Sequence, residues 1–315
     1  KKKYPESSIT LVASPTNYSI PFKKINPFID DIIFYDKSTI KTIFNFYKKL
    51  RQKKYELGIV PSTVKVSTTS HIINFLSGAK RRVGVRSIDG VKNQASSLLN
   101  ISKDFYWTKN KVHQTDRNLQ IALLAGCELP GNREYKLKIM PEDHEFADNF
   151  IKLNFPDKNR LIIGFHPGAG KLANTWNIDN FLNLIRELYR KHNNYVLITS
   201  GEVDKQVINK IEKGLSDNGI EFTKAENLSI PHLAAVFERI KLYITNDTGP
   251  MHIAAMTNVN QISLMLPDNE YEWAPSGENK YSIKSEPGNI NTINPEDVLK
   301  LCDKIIMENY GSRKS

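Results

Sequence analysis

The 315-residue chain reads as an α/β protein built on parallel, doubly wound sheets, and three observations point there. Strand-like apolar runs alternate with amphipathic helical runs, the order that a parallel sheet with crossover helices needs. Two glycine-bearing turns, His166-Pro167-Gly168-Ala169-Gly170-Lys171 and Asn246-Asp247-Thr248-Gly249, each follow a strand and lead toward a helix. They stand about 80 residues apart, and turns at the carboxyl ends of strands are where such sheets hold ligands.

In the first half, apolar runs predict strands at 8–13, 32–35, 57–60 and 82–85, and helical spacing predicts helices over 40–50 and 71–76. Residues 89–110 are rich in Ser, Asn and Lys and read as an irregular loop carrying the aromatic run Phe105, Tyr106 and Trp107. A helix over 114–125, a strand over 135–139 and a helix over 141–153 follow. Residues 154–159 interrupt both periods with Asn, Pro, Asp and Lys and are the expected hinge. Beyond it, strands at 161–165, 195–199, 242–245 and 261–264 alternate with helices, and a last helix over 295–309 sets Val298, Leu301, Ile305 and Ile306 on one face.

Composition narrows the function classes. Cys127 and Cys302 lie far apart inside apolar helical patterns, which suggests neither a disulfide framework nor a zinc site. No run of 18 apolar residues and no hydrophobic signal core follow the three opening lysines, so a soluble, cytoplasmic chain is expected. The formal charge of +10 has two competing readings: a lysine-rich composition, or attraction to anionic headgroups and acidic sugars. Nucleic acid is disfavoured, because most of the lysine clusters lack the interleaved aromatics of a single-strand binder.

The second turn has the build of an anion seat. Pro250 suits a first helical turn, so the helix starts near Gly249, and the amides of Thr248 and Gly249 point back at the turn. His252, three residues past Gly249, falls on the same face. The competing reading is an ordinary helix capped by Asp247 or Thr248. Neither G-x-G-x-x-G nor G-x-x-x-x-G-K-[ST] occurs, so a dinucleotide or P-loop site is not indicated, and no Asp-x-Asp stands in a metal-binding turn.

His166-Pro-Gly-Ala-Gly with Trp176, then Ser200-Gly201-Glu202-Val203-Asp204, then Asn246-Asp-Thr-Gly-Pro-Met-His252 resemble, in order and spacing, glycosyltransferase family 9, the bacterial lipopolysaccharide heptosyltransferases. The likeness extends upstream through 54–60, 75–84 and 113–119 and so covers nearly the whole chain. It implies the GT-B arrangement, two Rossmann-like domains facing a cleft: 1–154 for the acceptor, 155–294 for the nucleotide sugar, and a helix in 295–315 packing back toward the first domain. It also implies an inverting, metal-independent and cofactor-free transfer of heptose from ADP-heptose to a lipid-linked anionic sugar, with peripheral contact at the cytoplasmic face of the inner membrane. In the resembled family the first domain opens with a strand, a Leu-Gly-Asp turn and a helix whose end reads like Lys2-Lys3-Tyr4-Pro5. The first β-α unit is therefore expected to be absent from this sequence, and with it the Asp expected as catalytic base.

The donor-binding set implied by the resemblance is His166, Gly168, Ala169, Gly170, Lys171, Asn174, Asp204, Asp247, Thr248, Gly249 and His252. The family's phosphate-binding lysine two residues before the tryptophan is replaced here by Asn174, and Lys171 is either its substitute or a solvated loop lysine. Asp204 matches the carboxylate that holds ribose hydroxyls, or else caps the following helix, with Glu202 as its neighbour and competitor. His166 is either a ligand contact or a structural hydrogen-bonder. For an anionic acceptor the candidates are Lys65, Arg81, Arg82, Arg86 and Arg117, with the 89–110 loop as an acceptor-side flap. Residues 266–275 are expected beside the nucleotide or sugar. The alternatives are a catalytically impaired sugar-nucleotide binder and a GT-B enzyme using another nucleotide sugar.

Overall fold

The structure, a computed structural model, describes residues 1–17, 20–61, 66–129 and 136–310, the last two without their side chains. The chain divides into two compact units, Lys1–Arg133 and Glu134–Ser315.

In the first unit, β1 (Thr10–Ala13) pairs in parallel with β2 (Asp31–Phe34), and the short α1 (Phe22–Ile25) lies between them in sequence. α2 (Ile40–Leu50) starts at Thr39, whose hydroxyl accepts the Thr42 N–H, and buries Phe46 and Leu50, one turn apart. These two meet Ile33 of β2 and Ile73 of α3 (Thr68–Leu76). A second sheet is centred on β4 (Arg81–Ile88), with β3 (Leu57–Ile59) and β6 (Ile101–Phe105) parallel to it and β5 (Val91–Lys92) antiparallel. The β4–β5 hairpin turns at Asp89 and Gly90, with φ of 49° and 86°, as its two-residue turn requires. α4 (Gln114–Leu124) covers this sheet with Ile121.

Two expectations for this half are corrected. The 89–110 segment is not an irregular loop, since it contains β5 and β6. Nor is its aromatic run a flap: Phe105 and Trp107 are buried and stacked at 4.4 Å, and the Trp107 indole N–H donates to Gln120 Oε1 at 2.7 Å. Only Tyr106 of the three faces outward.

The second unit holds one parallel sheet in the order β12-β11-β10-β7-β8-β9. Its strands are β7 (Ile162–His166), β8 (Tyr195–Ser200), β9 (Phe222–Glu226), β10 (Leu242–Asn246), β11 (Asn260–Met265) and β12 (Lys280–Lys284). Its helices are α5 (Pro141–Asn154), α6 (Ile178–His192), α7 (Lys205–Asp217), α8 (Ile230–Phe237), α9 (Gly249–Ala255), α10 (Pro267–Trp273) and α11 (Pro295–Tyr310). Side chains alternate across the sheet with period two. Ile163, Phe165, Val196, Ile198, Leu242, Ile244, Ile262 and Leu264 pack with α6, α7 and α11, while Ile162, Leu197 and Tyr243 pack with α5 and α8. α6 shows the matching helical spacing: Phe181, Leu184, Ile185 and Leu188 are buried, and the helix stops at left-handed Asn193.

Two further expectations differ from what is found here. No strand forms over 136–139, where the Leu137 amide instead reaches the Met256 carbonyl; Tyr135 lies outside the described residues. α5, read from sequence as the last helix of the first domain, packs Ala147 against α8 in the second unit, so the division falls before it and not at the expected hinge. α11 buries its apolar face, Val298, Cys302, Ile305 and Ile306, in the core of the second unit.

Chain order reverses between β7 and β10, and the crevice outside their carboxyl ends is the ligand position of a doubly wound sheet. The short α9 that leads away from it is tied at its far end by Lys280 of β12. That ammonium donates to the carbonyls of Ala254, Thr257 and Val259 at 3.1, 2.9 and 2.6 Å. Burial pushes the Lys280 pKa down to about 8, from an ordinary 10.5. Between those values the unfolded chain binds more protons than the folded one, so this residue's contribution to stability rises with pH across that window. Lys280→Met removes the titration, so the native protein's advantage over the variant in urea unfolding is expected to be larger at about pH 10 than at about pH 7.

Candidate functional site

The two glycine-bearing turns leave neighbouring strands side by side, His166 of β7 being in register with Thr245 of β10. One buried side chain joins them. Asn246 Nδ2 donates to the carbonyls of Pro167 and Gly168 at 2.9 and 3.2 Å, and its Oδ1 accepts the Trp176 N–H at 3.2 Å. Trp176, also buried, donates from its indole to the Ile293 carbonyl at 3.1 Å and meets Phe181 edge-on. Sequence reasoning took Asn246 as a turn residue and missed this joint; the signal for it was a carboxamide at the end of an apolar strand.

Beneath the first turn lies a buried polar line. His166, 1 % exposed, donates from Nδ1 to the Thr199 carbonyl at 3.0 Å, and Tyr243 Oη meets Thr199 Oγ1 at 2.9 Å. The other ring nitrogen faces Asp204 Oδ2 at 3.7 Å, and that oxygen accepts the Gly201 N–H at 2.8 Å. Burial holds the His166 pKa below the ordinary histidine value, against the opposing pull of the Asp204 carboxylate and the Thr199 carbonyl. Asp204, 5 % exposed, supports Gly168 from below: a Cβ on that glycine would stand 2.1 Å from its Oδ1. The direct ligand contacts expected of His166 and Asp204 are therefore corrected to a supporting position, because both are enclosed under the turn. Exposed Glu202, on the 3-10 segment Glu202–Asp204, is the outward carboxylate there.

Of the remaining donor-side candidates, Gly170, Lys171 and Gly249 are exposed, Ala169, Asp247, Thr248 and His252 are half-buried, and Asn174 is buried. Gly170 and Gly249 have no atom within 4 Å of where a Cβ would stand, so neither packing nor a positive φ requires glycine at these two places. Bare backbone in open space is what close approach of a ligand needs. Among the described residues, the amides of Ala169, Gly170, Thr248 and Gly249 have no acceptor. Thr248 is the N-cap of α9, yet its side chain makes no capping bond, and Asp247 makes none either, so the ordinary-cap reading fails. Exposed Lys171 has no partner for its ammonium among the described residues. His252, half-buried on α9, sets its ring edge-on to Trp273 of α10 at 6.0 Å.

Asn174, on the 3-10 segment Leu172–Asn174, donates to Asp247 Oδ2 at 3.0 Å, and Asn269 of α10 donates to the same oxygen at 2.7 Å. Asn269 was missed from sequence, although 266–275 was expected near the site. Among the described residues no group of three His, Cys, Asp or Glu side chains is set to hold a metal ion.

The acceptor-side arginines fare differently. Arg81 donates to the Ala125 carbonyl at 3.1 Å, and Arg82 to those of Leu98 and Ala79 at 2.7 and 2.9 Å. Both sit at the amino end of β4, opposite the edge where parallel sheets take ligands. Arg117 is buried, donating to the Val112 carbonyl at 2.9 Å over the Trp107 ring. Exposed Arg86 is forked onto Asp104 at 3.0 Å, a pair that holds the Asp104 carboxyl below the usual range. These partners leave Arg81, Arg82 and Arg117 as structural ties; Lys65 lies outside the described residues. At the carboxyl end of β4 there is instead an open hollow of about 550 Å³, bordered by Thr68, Asp89, Lys92, Gln94 and Thr108.

The model of glycosyltransferase family 9 (heptosyltransferase) matches residues 43–302. The chain belongs to that family. It is 23 % identical over 311 residues to the lipopolysaccharide core heptosyltransferase OpsX of Haemophilus influenzae, spanning 96 % of this chain and 83 % of that protein. Among solved structures it resembles E. coli ADP-heptose lps heptosyltransferase II, with a TM-score of 0.77 at 19 % identity over 98 % of this chain and 92 % of the other. It also resembles E. coli heptosyltransferase WaaC with ADP, with a TM-score of 0.69 at 15 % identity over 96 % and 92 %. The family 9 chain is thus a glycosyltransferase of the GT-B class, as its motifs predict, and no helix among its described residues is long and apolar enough to cross a membrane.

The two glycines of the first turn separate fold from ligand access. Gly168→Ala presses a methyl onto Asp204 and is expected to cost about 1–3 kcal/mol in urea unfolding. Gly170→Ala, in open space, is expected to move stability by no more than about 0.5 kcal/mol.

Proposed function

We propose that this family 9 enzyme transfers a heptose from ADP-heptose to an inner-core acceptor of lipopolysaccharide, with inversion and without a metal ion. The observation that carries the reading is the pair of outward-facing turns at the β7–β10 switch point, with open amides on both. Cleaving an anomeric carbon from a diphosphate builds positive charge on the sugar and negative charge on the leaving group. The amides of Ala169, Gly170, Thr248 and Gly249, the Lys171 ammonium and His252 are the groups placed to meet that negative charge. Donors fixed by the backbone need no rearrangement as the charge grows, which is what lowers the barrier. The first unit receives the acceptor, for which the hollow at the carboxyl end of β4 is the site proposed, in place of the arginines that serve as structural ties.

A lipid-borne acceptor calls for contact with the cytoplasmic face of the inner membrane. α2 supports this, with Ile40 87 % and Phe44 67 % exposed one turn apart and exposed Lys41 and Lys48 beside them. Replacing Ile40 and Phe44 together by Asp is expected to reduce sedimentation with phosphatidylglycerol vesicles while leaving ADP binding unchanged.

Calorimetry with ADP, UDP and GDP in EDTA tests the donor assignment. ADP is expected to bind best, and His252→Ala to weaken it about tenfold. A preference for UDP or GDP, or binding only after a divalent metal is added, would sink the ADP-heptose reading. NMR of the transfer product then reports the anomeric configuration, and retention would exclude the inverting course.

A further inference from the structure

The site contains a carboxylate clamp built from three separate segments. Asp247 follows β10, Asn174 follows β7, and Asn269 lies on α10 after β11. β7, β10 and β11 are successive neighbours in the sheet, so their carboxyl-end segments converge. Asn269 Nδ2 donates to Asp247 Oδ2 at 2.7 Å and to Asn174 Oδ1 at 3.3 Å, and Asn174 Nδ2 donates to the same Asp247 oxygen at 3.0 Å. Turning either amide over would press an oxygen against Oδ2, so the carboxylate dictates both orientations. The second oxygen, Oδ1, has no partner among the described residues.

We infer that Asn269, with Asn174, is a positioning residue of the donor site: the two amides pin one oxygen of Asp247 and leave the other as a fixed acceptor for a hydroxyl of the donor's sugar. The assignment rests on the donor site proposed above. Its physical basis is the neutrality of the clamp. A lysine at either asparagine would cancel the Asp247 charge, whereas two amides hold the carboxylate in place and leave it negative. A negative oxygen next to a diphosphate seat repels phosphate and accepts a hydroxyl, so it orients the nucleotide sugar end to end. Asp247 also has its conformational freedom removed before the donor arrives, which saves ordering cost on binding.

Asn269→Asp tests this with little change of shape. Two carboxylates within hydrogen-bond reach cannot both ionise, so the pair is expected to hold one proton at low pH and to be forced apart as pH rises. Without ligand, the variant's melting temperature is then expected to fall relative to native between about pH 5.5 and about pH 8. With ADP-heptose as donor, the variant's KM is expected to lie near native at about pH 5.5 and to be about tenfold higher at about pH 8. ADP alone, lacking the sugar, is expected to bind native and variant alike at about pH 5.5, where the carboxylate pair holds one proton and carries the same charge as the native clamp. His252 is present in both proteins and drops out of the comparison.

Asn269→Ala gives a second route, with a donor KM raised about tenfold at every pH and unchanged ADP affinity. If the melting temperature responds to pH while the donor KM does not, Asn269 only stabilises the fold and the inference is overturned. It is equally overturned if ADP and ADP-heptose lose affinity in step in Asn269→Ala, which adds no charge. Failure of the native protein to bind ADP would instead remove the donor reading itself, and the ligand-free melting comparison would still report whether the clamp exists.

Discussion

The site depends on Asn246. Two turns far apart in sequence are brought alongside by the pairing of β7 with β10, but strand pairing fixes only the strands, and the loops beyond could diverge. Asn246 prevents that by giving both hydrogens of its amide to carbonyls of the neighbouring turn and taking the Trp176 N–H on its oxygen. All these groups are buried, so each bond left unmade would cost about 1–3 kcal/mol of desolvation without return. The open amides of Ala169, Gly170, Thr248 and Gly249 share one crevice because this side chain holds their two loops together. The chemistry of the site thus rests on a residue that has no direct place in it.

Asp247 and its surroundings complement this frame. A carboxylate beside the phosphate seat proposed above is adverse unless it is aimed elsewhere, and two asparagine amides hold one of its oxygens. Below, the line from Tyr243 through Thr199 to His166, with Asp204 beyond its ring, fills the space under Gly168 with groups that are mostly satisfied, which keeps the turn raised. At the other end of α9, Lys280 donates to the carbonyls of Ala254, Thr257 and Val259, tying the helix end to the chain that leads into β11. The short helix is therefore held at both ends, by sheet contacts on one side and by a cation on the other.

Much of this was legible in the residues. The strands at the switch point, Leu242–Asn246 and Ile162–His166, are apolar and buried on both faces, and they announce themselves as continuous runs. β9 and β12 escaped because they are the sheet's edges, where Phe-Thr-Lys-Ala-Glu and Lys-Tyr-Ser-Ile-Lys mix charge into the pattern. β6 escaped for the same reason, its middle being Ser-Lys-Asp. The two motif turns follow β7 and β10, the strands read for them, but their letters do not carry depth. His166 and Asp204 look like Asp247 and His252 on paper, and only the packing shows that the first two lie under the surface. Asn269 stands 22 residues beyond Asp247, on another helix, and no local pattern connects them.

The β7–β10 pairing also orders events in time. It closes a loop of about 80 residues, and a closure that long is entropically costly and slow compared with forming a helix or a neighbouring βαβ turn. Strands β7, β8 and β9 come together as one local block and β10, β11 and β12 as another, yet neither block alone sets one turn beside the other. A chain emerging from the ribosome, or a nicked or partly refolded one, can own every residue of the site and still have no crevice. Binding competence then arrives in a single step with completion of the sheet, so a nucleotide that binds there draws the last strand pairing to completion by mass action.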